Sequence, residues 1–289
     1  MKPIVLAGVQ RHSLFSPNNV GNDATIFNAT AACLRQAGYE VNLYTEQEFL
    51  GGRVAESCLI TMMRSEQAIR RLQSMERQGC LAVNSGFGIE NCTRERMTNL
   101  LINHHIPHPR SLVLDTEKTL CKELLPAWFT PCWVKRADFH AIHREDVTQV
   151  SNPDELAEVI AEYAARGISR VVINEHLAGD LVKFYGVAGS DFFYWFYPYE
   201  ANHSKFGLEE INGKPKGIHF SLDGLKAICD TAARALGITV YGGDGIVSRD
   251  GTVRVIDFND WPSFAPCREE ASRAIARMVV LLLTNKESK

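Results

Sequence analysis

The sequence predicts an α/β protein whose front is a small doubly wound domain around a parallel sheet, and three observations predict it. Strand-like and helix-like segments alternate over the first hundred residues. The chain has 289 residues and is 45% hydrophobic, enough for a large core and two or three lobes. Towards the other end, the stretch from Tyr241 to Pro266 reads as two short strands and a turn, with acids set into an apolar run.

The elements follow in order. Pro3 to Val9 is a near-continuous apolar run, as in a strand buried on both faces. A polar loop over 10–23 leads to a helix from Ala24 to Gln36, closed by Gly38, and to a strand from Tyr39 to Tyr44. This βαβ opening implies parallel pairing. Leu59 to Met63 is a third strand, Glu66 to Gln78 a helix and Leu81 to Val83 a fourth strand ending in a turn at Asn84-Ser85-Gly86. Thr93 is the candidate cap of a helix reaching Asn103. Beyond Pro107 come a strand at Ser111 to Leu114, a helix over Glu117 to Leu125 and an apolar strand, Trp133 to Arg136, that ends in two cations. Asn152 caps a helix from Pro153 to Arg166. The strand from Val171 runs through Glu175, His176 and Leu177, and an aromatic strand spans Phe192 to Tyr199. A loop over 207–217, a helix from Ser221 to Leu236, the hairpin and a helix from Arg268 to Leu283 complete the chain.

Composition excludes several classes. The net charge is −3 and no basic block occurs, so neither nucleic acid nor a membrane surface is an expected partner. The start carries one positive charge and a short apolar run, which fits a buried strand better than a signal peptide. Met278 to Leu283 is too short to span a bilayer. The eight cysteines form no C-x-x-C pair, and Cys33, Cys58 and Cys229 sit in apolar contexts. They read as reduced residues of a cytoplasmic protein without a zinc site.

In the hairpin, Asp250-Gly251 suggests a type I′ turn. Asp257 and Asn259 are two residues apart and share a face, with Asp244 on the partner strand. Two carboxylates and an amide suit Mg²⁺, which shares its shell with water and phosphate oxygens. The alternative is a surface hairpin with incidental acids, against which stands the cost of unpaired charge beside Val255, Ile256 and Phe258. Arg11 and His12 lie beyond a parallel strand's carboxyl end, where they either contact a substrate or belong to a solvated loop.

A strand ending in Lys135, then N-E-H-L at 174–177, then G-D-L-V-K at 179–183, then the D…D-x-N hairpin resembles the ATP-grasp superfamily. V-N-S-G-F and C-T-R-E-R-M-T-N-L-L-I-N-H-H-I-P-H-P resemble its preceding domain, so the likeness covers the whole chain. It implies two α+β lobes sandwiching ATP after a doubly wound domain: residues 1–104 on the substrate side, 105–173 as the small lobe and 174–289 as the large lobe with the metal site. It further implies ATP and Mg²⁺ or Mn²⁺ as cofactors and a small-molecule substrate, with a homo-oligomer as an open option. Lys135 would contact phosphate, Glu175, His176 and Leu177 would form the adenine hinge, and Asp180 would bond the ribose. Lys183 resembles a phosphate-facing cation of the inositol-phosphate kinases, and Asp244, Asp257 and Asn259 would hold the metal. Arg94 resembles an arginine of the formate-dependent purine transformylases, here preceded by Cys92-Thr93.

Two departures stand out. Residues 137–146 contain no glycine where the ligases close a glycine-rich loop over the phosphates, leaving His140, His143 and Arg144 as side-chain donors or as polar surface. The ligases usually carry Glu where this chain has Asp257, a feature shared with the kinases. Three functions are consistent with these features: an ADP-forming carboxylate–amine or carboxylate–thiol ligase, a small-molecule kinase, and a nucleotide-binding protein without turnover. Ligases are far commoner in the superfamily, and the scattered Arg11, Arg53 and Arg64 suit a carboxylate better than a polyphosphate substrate. The ligase is therefore the expectation, with Lys183 and Arg249 as the cations beside the transferred phosphoryl group and its acceptor.

Overall fold

Three four-stranded sheets follow one another along the chain in a computed structural model that describes residues 4–15, 20–118, 127–137, 146–199 and 213–287. The first sheet has strands β1 (Val5–Val9), β2 (Glu40–Tyr44), β3 (Cys58–Thr61) and β4 (Leu81–Val83) in the order β2-β1-β3-β4. All its pairings are parallel, as the alternation of elements predicted. Helices α1 (Val20–Gln36), α2 (Glu46–Leu50), α3 (Glu66–Arg77), α4 (Gly86–Asn91) and α5 (Arg94–Asn103) connect and follow them.

α1 starts four residues before the expected Ala24, because Val20 to Asp23 already join its first turn. The short helix α2 went unpredicted although Thr45 and Glu48 form a full capping box. α4 replaces the expected turn at 84–86, with Ser85 as its cap. Thr93 stands at the start of α5, but its hydroxyl turns back to the Glu90 carbonyl and makes no cap bond.

The second sheet comprises β5 (Ser111–Asp115), β6 (Cys132–Arg136), β7 (Val147–Val150) and β8 (Arg170–Glu175), ordered β5-β8-β6-β7 and antiparallel throughout. Helix α6 (Pro153–Ala165) packs on it, capped by Asn152. Their core is self-contained: Val134, Leu156, Ile160, Tyr163, Val171 and Ile173 are all buried in it. β8 runs two residues past the expected lobe border at 173, since Glu175 still pairs with Cys132. The helix expected over 117–125 and the loop holding His140, His143 and Arg144 fall mostly or wholly outside the described residues.

The third sheet, β10-β9-β11-β12, is antiparallel and includes β9 (Asp180–Val187) and the short aromatic edge strand β10 (Phe193–Phe196). β11 (Val240–Val247) and β12 (Val253–Asp260) form the hairpin, flanked by helices α7 (Leu222–Leu236) and α8 (Arg268–Glu287). Its turn is not type I′. Only Gly251 has positive φ, +80°, and Gly251 N–H bonds the Ser248 carbonyl while Ser248 N–H bonds that of Thr252. This is a three-residue turn closed by a left-handed glycine.

The first and third sheets share one core. Ile26, Phe27 and Leu34 of α1 pack with Ala271, Ile275 and Val279 of α8 and with Val187, Trp261 and Phe264. Asn84, fully buried after β4, accepts from the N–H groups of Thr239 and Val240 and donates to the Val240 carbonyl. None of the described helices is long and apolar enough to cross a membrane.

Candidate active site between the sheets

A β-bulge decides which side chains of β12 leave the core. Asp244 is paired with Asp257 and Gly245 with Val255, so Ile256 is an extra residue on β12. Before the bulge Val253 and Val255 point inward; after it Phe258 and Asp260 do, while Asp257 and Asn259 stay partly exposed. One inserted residue thus inverts the alternation and turns both candidate ligands out of the core. Asp244 stands opposite Asp257 and brings the third oxygen donor to the same face.

Cations from three elements converge there. Lys183 on β9 is opposite Asp244 and pairs with it at 2.6 Å. Arg94, at the first turn of α5 and 5% exposed, lies 3.4 Å from Asp257. The Lys135 ammonium, on the neighbouring sheet, donates to the Ile256 carbonyl at 3.3 Å. Lys135 is 7% exposed, and its pKa is pushed down to about 7, first by burial and then by Arg94, with Asp257 and Asp244 opposing. Buried Arg94 Nε has no hydrogen-bond partner among the described residues. Two cations held this close in a buried place favour an anion between them.

The donor set fits a hard divalent cation. Asp244, Asp257 and Asn259 offer oxygen only, and Asn259 Nδ2 turns to Asp257 at 3.3 Å, which orients the amide. Among the described residues no three His, Cys, Asp or Glu side chains gather to hold a metal by themselves. Two acids and an amide therefore suit an ion that completes its shell with phosphate oxygens and water.

The other expected site residues divide. At the hinge, Glu175 and His176 use their N–H groups on the carbonyls of Arg110 and Pro131. The Glu175 carboxylate binds Arg110, and His176 Nδ1 accepts from Trp133 Nε1, with burial lowering the imidazole pKa. Asp180, expected to bond the ribose, is buried, and its two oxygens accept from the N–H groups of Lys216 and Ile218, which ties it to that segment. Arg249 is exposed in the hairpin turn, five residues beyond Asp244 along the chain, on the order of 15 Å at strand rise.

The Arg11 side chain is buried against Asp23, Asp260 and the carbonyls of Met62 and Trp261, so it joins the first sheet to the end of β12. Arg64 likewise grips Asp260, and exposed Arg53 pairs with Glu48. His12 accepts a bond from Leu14 N–H in its own loop. His140 lies outside the described residues. Beyond the carboxyl ends of β3 and β4 there is instead a cleft of about 530 Å³, lined in part by Arg64, Ile89, Thr93, Glu95, Arg96 and Ala137.

No protein-family model matches this sequence, and no curated protein does. Solved structures do match. The D-alanine–D-alanine ligase of Bacillus anthracis, determined with ATP, superposes with a TM-score of 0.69 at 14% identity, covering 100% of this chain and 99% of that one. D-alanyl-alanine synthetase A of Vibrio cholerae O1 biovar eltor gives 0.69 at 13% identity and covers both chains completely. The ATP-grasp ligase PsnB, solved with a minimal precursor, gives 0.61 at 18% identity over 97% of this chain and 99% of its own. These likenesses extend through all three sheets, and the chain has the ATP-grasp fold.

Proposed function

We propose that the protein is an ATP- and Mg²⁺-dependent, ADP-forming ligase that activates a small-molecule carboxylate as an acyl phosphate for attack by an amine or thiol. The observation that carries this reading is the meeting of Lys135, Arg94 and Lys183 with Asp244, Asp257 and Asn259 in the space between the second and third sheets. Its neighbours in structure include ligases of this fold, one determined with ATP.

In this reading Lys135 and Arg94 bind phosphate oxygens, whose negative charge offsets the burial and the Arg94 repulsion that lower the lysine's pKa. Lys183 exchanges Asp244 for phosphate when nucleotide arrives. Asp244, Asp257 and Asn259 hold Mg²⁺, which when bound neutralises charge on the transferred phosphoryl group. The base sits at the 175–177 hinge, where the donor is assigned to Leu177 N–H because those of Glu175 and His176 are engaged. We place the carboxylate substrate in the cleft beside Arg96 and Thr93, which opens next to Ala137 at the end of the Lys135 strand. Catalysis is positioning and charge neutralisation, so no side-chain nucleophile is required.

Hydroxylamine tests the reaction class. With ATP and a panel of carboxylates it traps an acyl phosphate as a hydroxamate, and free phosphate appears in equal amount. A stable phosphomonoester with ADP and no hydroxamate across the panel would replace the ligase by a kinase on the same fold.

A further inference from the structure

The last residue of β12 is gripped by the first sheet. Asp260 is fully buried; its Oδ1 accepts from Arg64 Nε at 3.1 Å and from Arg64 NH2 at 2.8 Å, and its Oδ2 lies 3.5 Å from Arg11 NH2. The backbone is held too, because Arg64 NH2 donates to the Asp260 carbonyl and Arg11 NH2 to that of Trp261. Arg11 is itself fixed by Asp23 and the Met62 carbonyl. Both arginines follow the carboxyl ends of parallel strands, β1 and β3.

This grip falls at the end of the hairpin, next to the candidate ligands. Across from Phe258 and Asn259 stand Gly243 and Gly242, which have no side chains to pack in cross-strand pairs. One residue further on, Trp261 takes a left-handed backbone with φ of +33°, and the strand ends. Asn259 thus has no cross-strand side chain opposite it, and the residue that follows it is the clamped Asp260.

We infer that Asp260 is a positioning residue for the metal site, and that through Arg11 and Arg64 the first sheet sets the geometry of Asn259 and Asp257. The inference rests on the reading of those two residues as metal ligands. Outer partners of this kind orient the groups that touch the ion without touching it themselves. It also gives the first sheet a part in nucleotide chemistry, besides lining the cleft.

The test measures Mn²⁺ binding to the ADP-loaded full-length protein by electron paramagnetic resonance, with metal-free ADP binding measured in parallel by calorimetry. Asp260→Asn should weaken Mn²⁺ binding about ten-fold or more, and leave metal-free ADP binding within about two-fold, since phosphate and base contacts are untouched. Unchanged Mn²⁺ affinity, or an equal loss of both, would overturn the inference. Asp257→Asn is the control for the underlying reading: if it leaves Mn²⁺ binding intact, the ligand assignment itself falls and takes this inference with it. Should Asp260→Asn not fold, Arg64→Lys keeps the buried charge and removes the two-point grip. It should weaken Mn²⁺ binding several-fold and leave metal-free ADP binding within about two-fold, and an unaltered Mn²⁺ affinity there counts equally against the inference.

Discussion

Lys135 is a cation in a place that disfavours cations, and its behaviour is therefore the most direct report on what the site binds. Its pKa falls from 10.5 to about 7 in the free protein, so it is charged below pH 7 and increasingly neutral above. Only the charged form attracts phosphate. Its contribution to nucleotide affinity is thus complete below pH 7 and lost by up to about ten-fold per pH unit above, until the higher pKa of the complex is passed. Arginine stays charged throughout. The ADP dissociation constant of the wild type, divided by that of Lys135→Arg, should rise several-fold from pH 7 to 8.5; a flat ratio would refute a titrating phosphate contact. Lys135→Met should weaken ATP binding about ten-fold or more while adenosine binding changes little, because the lysine is assigned to phosphate. Equal losses for ATP and adenosine in calorimetry would make the lysine a structural residue. Asp257→Asn and Asn259→Ala should each abolish turnover without lowering the melting temperature appreciably, since both side chains lie outside the core. Retained turnover with unchanged Mg²⁺ dependence would remove these residues from the site. The sequence singles these residues out as candidates because each sits in a short local motif whose order along the chain is distinctive, and the structure brings Lys135 and Asp257 into one place. The pairing of Arg11 is illegible for the opposite reason: its partner Asp260 is 249 residues away, and no local pattern reveals it.

At the scale of elements, the hairpin shows how much a strand's pairing adds to its pattern. The D-x-N spacing placed Asp257 and Asn259 on one face, but only the extra residue at Ile256 turns that face out of the core. Without the bulge they would continue the inward phase of Val253 and Val255. A bulge leaves no compositional mark, so it was illegible, whereas the Thr45–Glu48 capping box was in plain view and was passed over. The glycines of β11 separate in the same way. A Cβ on Gly243 would come within 2.2 Å of the Asp257 carbonyl, backbone that cannot step aside without parting the two strands. A Cβ on Gly245 would meet nothing nearer than 3.3 Å. Gly243→Ala should therefore destabilise by about 1–3 kcal/mol through overpacking and impair nucleotide-dependent metal binding. Gly245→Ala should stay within about 1 kcal/mol of the wild type. Chemical denaturation of the pair decides it, and equal midpoints would show that the hairpin is not packed as closely as described.

The whole molecule divides differently in its cores than in its sheets. Length and composition signalled two or three lobes and gave no sign of which of them share an interior. The first sheet is closed by α1 and by α8, the last helix of the chain, and Ile26, Phe27 and Leu34 share one buried cluster with Ala271, Ile275 and Val279 of α8. The second sheet buries Leu156, Ile160, Val171 and Ile173 among its own residues. Its ties to the neighbouring elements include polar contacts: Lys135 to the Ile256 carbonyl, Arg170 to Glu95, and the Ala137 carbonyl to Glu95 N–H. Autonomy follows from which apolar surface stays covered, since burial is the main favourable term and a domain of this size has little to spare. A fragment of residues 105–175 should therefore melt cooperatively and keep its near-ultraviolet circular dichroism. A fragment of residues 1–104 should bind a hydrophobic dye and melt without a sharp transition, because the face that α8 covers is bare. Adding α8 as a separate peptide should sharpen that transition in proportion to its concentration, as expected for binding linked to folding. A cooperative 1–104 fragment, or a dye-binding 105–175 fragment, would show that the cores are not partitioned in this way.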